Sequence, residues 1–383
     1  MINIFILSIT LSTFNLYGAV NQISQDSKDS IPGSNFIWDG INAFYNYEFV
    51  KSVEILSKAK EAYPNHPAVH FVWGTSEWLR TIAYVGHEKS YSILKNHLME
   101  IIPIYEELTK QFPDNPQYGL FLGSAHGLKA RIHLGKKEWF GVLYEGYTGY
   151  RIVKEIHKTY PDLGDAYLPL GILNFYVGSS SKIIQFVAGL LGVEGDRELG
   201  INQIKTAART GEYSWIEAET ILAFIYLWID EDYNSSLQVV AKLRDHFPGS
   251  FYYQHLYTES LIRLNKLDRA EQNLSVMDEM LERLPPNSKR GWKPSHIYQK
   301  ALLQFYKDNY NKAMKLVDVS IKEQDTEFDT NLAFAYLLRG KLYDLKGERR
   351  LAMTDYHEAI KLDNYTSAVR EAEIYLKSPF KKD

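Results

Sequence analysis

LAFAYLLRGKLYDLKGERRLAMTDYHEAIKLDNYTSA, Leu332 to Ala368, is the stretch that decides the fold. Tyr336, Arg339, Gly340 and Tyr343 fall on a first helix, and Ala352, Tyr356 and Ala359 on a second, in the register of a 34-residue helix–turn–helix repeat. The small side chains at Gly340, Ala352 and Ala359 let two antiparallel helices approach closely, while Tyr343 and Tyr356 fill the space between neighbouring pairs. Asn364 stands where such a repeat usually closes on proline.

Working outward, the same ruler fits Phe36 to Pro64, with Gly40, Ser52, Leu56 and Ala59 in register. The ending Ala62-Tyr63-Pro64-Asn65 recurs as Phe112-Pro113-Asp114, Tyr160-Pro161-Asp162 and Phe247-Pro248-Gly249. Proline cannot continue a helix and drives the preceding residue towards extended backbone, so each site marks a break between helix pairs. The intervals from Pro64 to Pro113 (49 residues) and from Pro113 to Pro161 (48) exceed 34, so the early helices are long, as in Ile93–Gln111 and Trp139–Thr159. Later pairs are nearer standard length: Ala218–Ile229 with Tyr233–His246, Tyr252–Leu264 with Ala270–Leu284, and Ser295–Tyr306 with Tyr310–Glu323. Pro285–Gly291 reads as a loop and a soft boundary, and the polar tail 377–383 as a cap on the array.

The bulk composition is that of a folded protein of 383 residues, 45% hydrophobic and 23% charged. A net charge of −4 without a long basic run argues against nucleic acid as the main partner. The absence of Cys excludes disulfides, thiolate catalysis and Cys-based zinc sites. Met1–Ala19 reads as a secretory signal peptide, its apolar core Ile4–Leu16 being short for a membrane span. A polar linker follows over 20–34, and the helical array occupies 35–376. The protein is therefore expected in the periplasm or cell envelope, with outer-membrane association as the alternative.

The repeat pattern resembles that of the tetratricopeptide-repeat (TPR) superfamily, which implies an all-α, right-handed α-solenoid, here of about eighteen helices. A narrower resemblance rests on Asp165 to Leu227. That segment holds Gly171, Asn174-Phe175-Tyr176, the apolar run Ile183–Val193, Glu194-Gly195-Asp196-Arg197-Glu198-Leu199-Gly200 and Ala207-Ala208. It resembles the tetratricopeptide-repeat 39 / inclusion-clearance outer-membrane family and its bacterial relatives. The resemblance implies a scaffold without an agreed enzymatic activity. It also implies a link to membranes and lipid handling. On physical grounds Asp196 suits a helix N-cap, Gly200 a close helix crossing, and Arg197 a pairing with Glu194, Asp165 or a ligand.

No catalytic or metal signature emerges. HExxH, a P-loop and a serine elbow are missing, Pro67 sets His66 before the helix that carries His70, His126/His133 lack a sequence-placed carboxylate, and Asp230-Glu231-Asp232-Tyr233-Asn234 fails as an EF-hand because Ser235 and Ala241 occupy its glycine and glutamate positions. Neither a metal nor a cofactor is expected, and an enzyme remains the least favoured class. Ile183–Val193 is too short to cross a bilayer. It is expected to be a buried helix of the solenoid, with a membrane-surface segment as the alternative.

The binding candidates are aromatic and basic: Arg131, Trp139, Tyr147, Arg151, Tyr176 and Arg197. Trp139, Tyr147 and Tyr150 share a helical face, and Arg131 with Arg151 would clamp a carboxylate or other anion if both reached the inner face of the array. The expectation is a non-catalytic scaffold holding a protein or peptide. A membrane-peripheral or lipid-handling protein is the alternative.

Overall fold

The computed structural model describes residues 31–136, 138–190, 192–193, 195–324, 330–362 and 364–382. The expected signal peptide and most of the linker lie outside them. The described residues hold eighteen α-helices and no strand. In chain order the helices of the first part are α1 Ser34–Tyr45, α2 Phe49–Ala62, α3 Val69–Tyr84, α4 His87–Gln111, α5 Pro116–Gly135, α6 Trp139–Thr159, α7 Tyr167–Ser179, α8 Lys182–Leu190 and α9 Arg197–Thr210. Then follow α10 Trp215–Phe224, extended by a π-helical turn Ile225–Ile229, α11 Tyr233–His246, α12 Phe251–Arg263, α13 Leu267–Arg283, α14 Pro286–Tyr306, α15 Tyr310–Lys322, α16 Thr330–Leu345, α17 Arg349–Lys361 and α18 Ser367–Lys377.

These helices pack as consecutive antiparallel pairs, α1·α2 through α16·α17, and the fold is an all-α, TPR-like solenoid. Two helices stand outside the pairing. The helix α18 follows the last pair, and α8 is inserted within the fourth pair, α7·α9. The chain forms two compact units dividing between Leu222 and Ala223, inside α10.

The proline-marked breaks fall where the sequence places them. Tyr63, Phe112, Tyr160 and Phe247 each terminate the second helix of a pair with φ between −133° and −124° and ψ between 59° and 72°, a conformation the following proline tolerates and a helix does not. The turn inside each of five pairs contains one left-handed residue: Tyr47, Glu231, Asn265, Asp308 and Gly347. Only Gly347 adopts it without steric cost; asparagine and aspartate tolerate it better than Tyr47 and Glu231. Asn364, in place of the closing proline, accepts from Thr366 N and Oγ1 (3.3 and 2.7 Å) and so turns the chain into α18.

Small residues set the close crossings as expected. A Cβ on Gly340 would lie 2.5 Å from the Tyr356 ring, and Ala352 and Ala359 are completely buried. The closest approach is α7 on α9. There a Cβ on Gly200 would meet Phe175 N at 2.4 Å, and one on Gly171 would meet Gly200 O at 2.8 Å. Asp196 caps α9 by accepting from Leu199 N (2.9 Å), and Asp232 caps α11 through Ser235 N (3.1 Å).

Three expectations change. Pro285–Gly291 is not a loop: Pro286 occupies the first position of α14, where its missing N–H costs no hydrogen bond and its fixed φ suits the helix. The apolar run is not buried throughout. With α7 and α9 already paired through their glycines, α8 is left outside the crossing, and Phe186 and Leu190 are 69% and 72% exposed, while Val193 is buried. Residues 378–382 do not stand as a polar cap; they return against α14–α17, with Phe380 half-buried.

Because the Gly200 contact is backbone on backbone, Gly200→Ala should cost about 2–3 kcal/mol and lower the thermal midpoint of the N-terminal unit by roughly 5–10 °C. Gly189→Ala, where an added Cβ meets nothing within 4 Å, should leave it unchanged. Circular dichroism melting curves of the two variants test this pair of outcomes.

Candidate functional site

In the N-terminal unit aromatic side chains bridge successive helix pairs. Trp38 of α1 stacks on Tyr213 at 5.3 Å, and Tyr213 meets Phe121 of α5 edge-on at 5.6 Å. Phe121 in turn packs on Phe71 of α3 (5.6 Å) and Tyr105 of α4 (6.0 Å). All five are buried, and Tyr45 donates a short hydrogen bond to the buried Glu217.

In the C-terminal unit charged side chains link successive first helices. Arg263 of α12 pairs with Glu259 (3.2 Å) and donates to Tyr298 of α14 (3.1 Å), its guanidinium 5.1 Å from the Phe334 ring of α16. Lys341 of α16 pairs with Glu371 of α18 at 2.5 Å. Burial pushes the Lys341 ammonium down, with Glu371 opposing, while the same ammonium outweighs burial and holds Glu371 below the usual carboxylate range. Arg370 donates a short bond to Ile229 O. Burial also lowers His255 to about 3, keeping it neutral between Trp228 and Trp292 at 6.0 and 5.5 Å. Sequence reasoning missed this network, whose members come from five segments with no shared motif.

The binding candidates scatter. Arg131 is buried and donates to Tyr91 Oη (2.8 Å), whereas Arg151 is exposed on α6. They sit at different levels of the α5–α6 pair, since Gly146 lies against Ala130 and Gly149 against Gly123, so they do not form the expected clamp. Tyr176 is buried in α7, and Arg197 lies 5.2 Å over the Phe175 ring rather than on Asp165. Glu194 lies outside the described residues, as does the side chain of Trp139, which opens α6. Asp165 instead accepts from Tyr213 N (2.6 Å), Ser214 N (2.7 Å) and Ser214 Oγ (3.0 Å), pinning the start of α10. His126 and His133 find carboxylates after all, at Glu145 (2.7 Å) and Glu138 (2.6 Å). No group of three or more metal-ligating side chains is present among the described residues.

What the structure does assemble is an apolar face. Phe140, Leu143, Tyr144 and Tyr147 follow at helical spacing along α6, 91%, 54%, 70% and 37% exposed. Gly192, two residues beyond α8, accepts from Lys154 (3.0 Å) and Tyr150 (3.5 Å) of α6, which ties the end of α8 to the later part of α6. The four most exposed large apolar side chains among the described residues, Phe140, Leu190, Tyr144 and Phe186, all lie on these two helices.

No protein-family model matches the sequence, and no curated protein matches it. Solved structures do resemble it. The APC/C hetero-tetramer Cut9–Hcn1 superposes with a TM-score of 0.52 at 13% identity, over 92% of this chain and 57% of that one, so the present chain spans little more than half of that subunit. A tetratricopeptide repeat protein from Parabacteroides merdae matches at 14% identity, over 90% and 97% of the two chains, with a TM-score of 0.31. A human IFIT1 dimer with PPP-AAAA matches at 13% identity, over 92% and 86%, with a TM-score of 0.42. The shared feature is the TPR-type helical fold.

Asp165 supplies a pH test. Burial raises its carboxyl to about 7, against the hydrogen bonds from Tyr213, Ser214 and Glu212, while its ordinary value is 3.8. A raised acid pKa in the folded state contributes stability that is complete below pH 4 and is lost as pH rises through 7. Relative to Asp165→Asn, the wild type should lose stability between pH 4 and pH 8, by roughly 4 kcal/mol at the upper limit. Urea titrations of both proteins at several pH values check the sign; a difference that does not vary with pH contradicts the assignment.

Proposed function

We propose that this protein is a non-catalytic binding scaffold that holds a protein partner on the outer face formed by α6 and α8. The observation that carries the reading is that the four most exposed large apolar side chains among the described residues all lie on these two helices, and apolar surface of that kind marks interaction sites. The TPR-like fold supports it, because stacked helix pairs present long, side-chain-rich surfaces suited to macromolecular partners. A nucleic acid partner is disfavoured by the net charge of −4 and the lack of a long basic run.

The exported character of Met1–Ala19 supports placing the scaffold in the cell envelope, and the Asp165–Leu227 segment supports kinship with the inclusion-clearance family. A second reading, a membrane-peripheral or lipid-handling protein, draws on α8 itself. A helix of nine residues exposing Phe186 and Leu190 can lie in a membrane interface, and no helix among the described residues is long and apolar enough to cross one.

The test is the double variant Phe140→Ser/Phe186→Ser. Both side chains are exposed, so its melting curve should match the wild type within the effect of surface substitutions, about 0.5 kcal/mol. Capture of a protein partner from native envelope extract should fall at least tenfold. Undiminished capture by the variant would sink the proposed face. Flotation of the wild type with protein-free liposomes, abolished in the variant, would transfer the same face to the membrane reading.

A further inference from the structure

The C-terminal unit holds a second site, already occupied by a segment of the chain itself. After α18 the backbone becomes extended at Ser378 (φ −143°, ψ 129°), and residues 379–382 are neither helix nor turn. Arg349 of α17 donates to Tyr375 O (2.7 Å) and Leu376 O (2.9 Å), fixing where the segment departs. Three contacts then hold it. Asp344 Oδ2 of α16 accepts the Phe380 main-chain N–H at 2.8 Å. The Phe380 ring sits 5.2 Å from Tyr375, edge-on, and 6.0 Å from Phe305 of α14, with the Lys341 ammonium 5.2 Å from its centre. Lys382 makes a short ion pair with Asp308 and lies 5.9 and 5.7 Å from the Phe305 and Tyr310 rings.

Part of the receiving surface is held by contacts that do not involve the segment. The Asp344 side chain is fixed by Arg349 (3.0 Å) and by the Tyr356 hydroxyl, which donates to it at 2.8 Å. Phe305 packs on Tyr306 and Tyr310 (6.1 and 5.8 Å). By contrast the segment is lightly held: Phe380 is only half-buried and Lys382 exposed. An exposed ion pair adds little, so the docking relies on the high local concentration that covalent tethering provides. In extended backbone, residues two apart project to the same side, which is why one surface reads both side chains.

We propose that α14–α17 form a peptide-recognition site of which Ser378–Lys382 is the internal occupant. Its ligand in trans is an extended peptide bearing an aromatic residue and, two positions later, a lysine or arginine. The main-chain N–H of the aromatic residue goes to Asp344, its ring to Phe305, Tyr375 and Lys341, and the cation to Asp308. This inference rests on the scaffold reading but concerns a different surface from α6 and α8.

The test uses the full chain with Phe380→Ala/Lys382→Ala, which releases the segment, and a fluorescent peptide Ser-Pro-Phe-Lys-Lys as probe, read by anisotropy. The released variant should bind the peptide at least tenfold more tightly than the wild type. Adding Asp308→Lys should weaken that binding, and a peptide with glutamate in place of its final lysine should recover it. Equal, weak binding by wild type and released variant overturns the proposal. Should the variant lose its helical signal, hydrogen exchange of the wild-type Phe380 amide decides instead. Exchange at least a hundredfold faster than for the α16 core amides supports a displaceable segment, and exchange only with those amides overturns it. Peptide failure with partner capture still lost in Phe140→Ser/Phe186→Ser removes this site alone; a failed scaffold reading shows in the capture assay.

Discussion

The structure depends on how its first helices meet one another. In a helical-repeat array each pair buries its seam against the next. In the N-terminal unit the device is dispersion and aromatic packing, Trp38–Tyr213–Phe121 with Phe71 and Tyr105. The C-terminal unit does it with charge, Arg263–Glu259 and Lys341–Glu371. The two solutions have different physical consequences. The aromatic cluster carries no charge at neutral pH, whereas each ion pair strands a buried charge if its partner is lost. Removing one member of a pair is therefore far more damaging than replacing both by apolar residues of similar size.

Exposed apolar side chains lie on α6 and on α8, and α8 stays outside the close crossing that Gly171 and Gly200 permit between α7 and α9. A side chain at either glycine would force those helices apart, so the glycines hold the fourth pair together. Lys154, donating to Gly192 O, ties the end of the insertion to α6.

Much of this was legible in the sequence, for reasons that are local. Proline restricts the residue before it, so Tyr63, Phe112, Tyr160 and Phe247 announced the breaks between pairs. Small residues at Gly340, Ala352 and Ala359 announced close crossings, and Asp196 and Asp232 announced helix starts. What was not legible depends on partners remote in sequence. Pro285-Pro286-Asn287-Ser288 has the composition of a loop, and only the geometry at Pro286 shows that the same residues open a helix. An apolar run states that burial is favourable without saying whether a partner surface exists, so α8 could be read either way. Arg131 and Arg151 looked equivalent because spacing along the chain does not reveal that Tyr91, forty residues away, takes up the first of them.

The C-terminal segment extends the same lesson to function. Read as composition, Lys377 to Asp383 is polar with one aromatic residue, and a solvated cap is the natural expectation. Its placement follows instead from a carboxylate, Asp344, that the array buries and orients through Arg349 and Tyr356. Three donors converge on one oxygen of that group, and one of them is the Phe380 main chain, which makes no demand on side-chain identity. Identity is demanded only by the aromatic surroundings of Phe380 and by Asp308, which lies in the left-handed turn between α14 and α15. The turn that every pair needs for its chain reversal thus also presents the acidic end of the recognition surface.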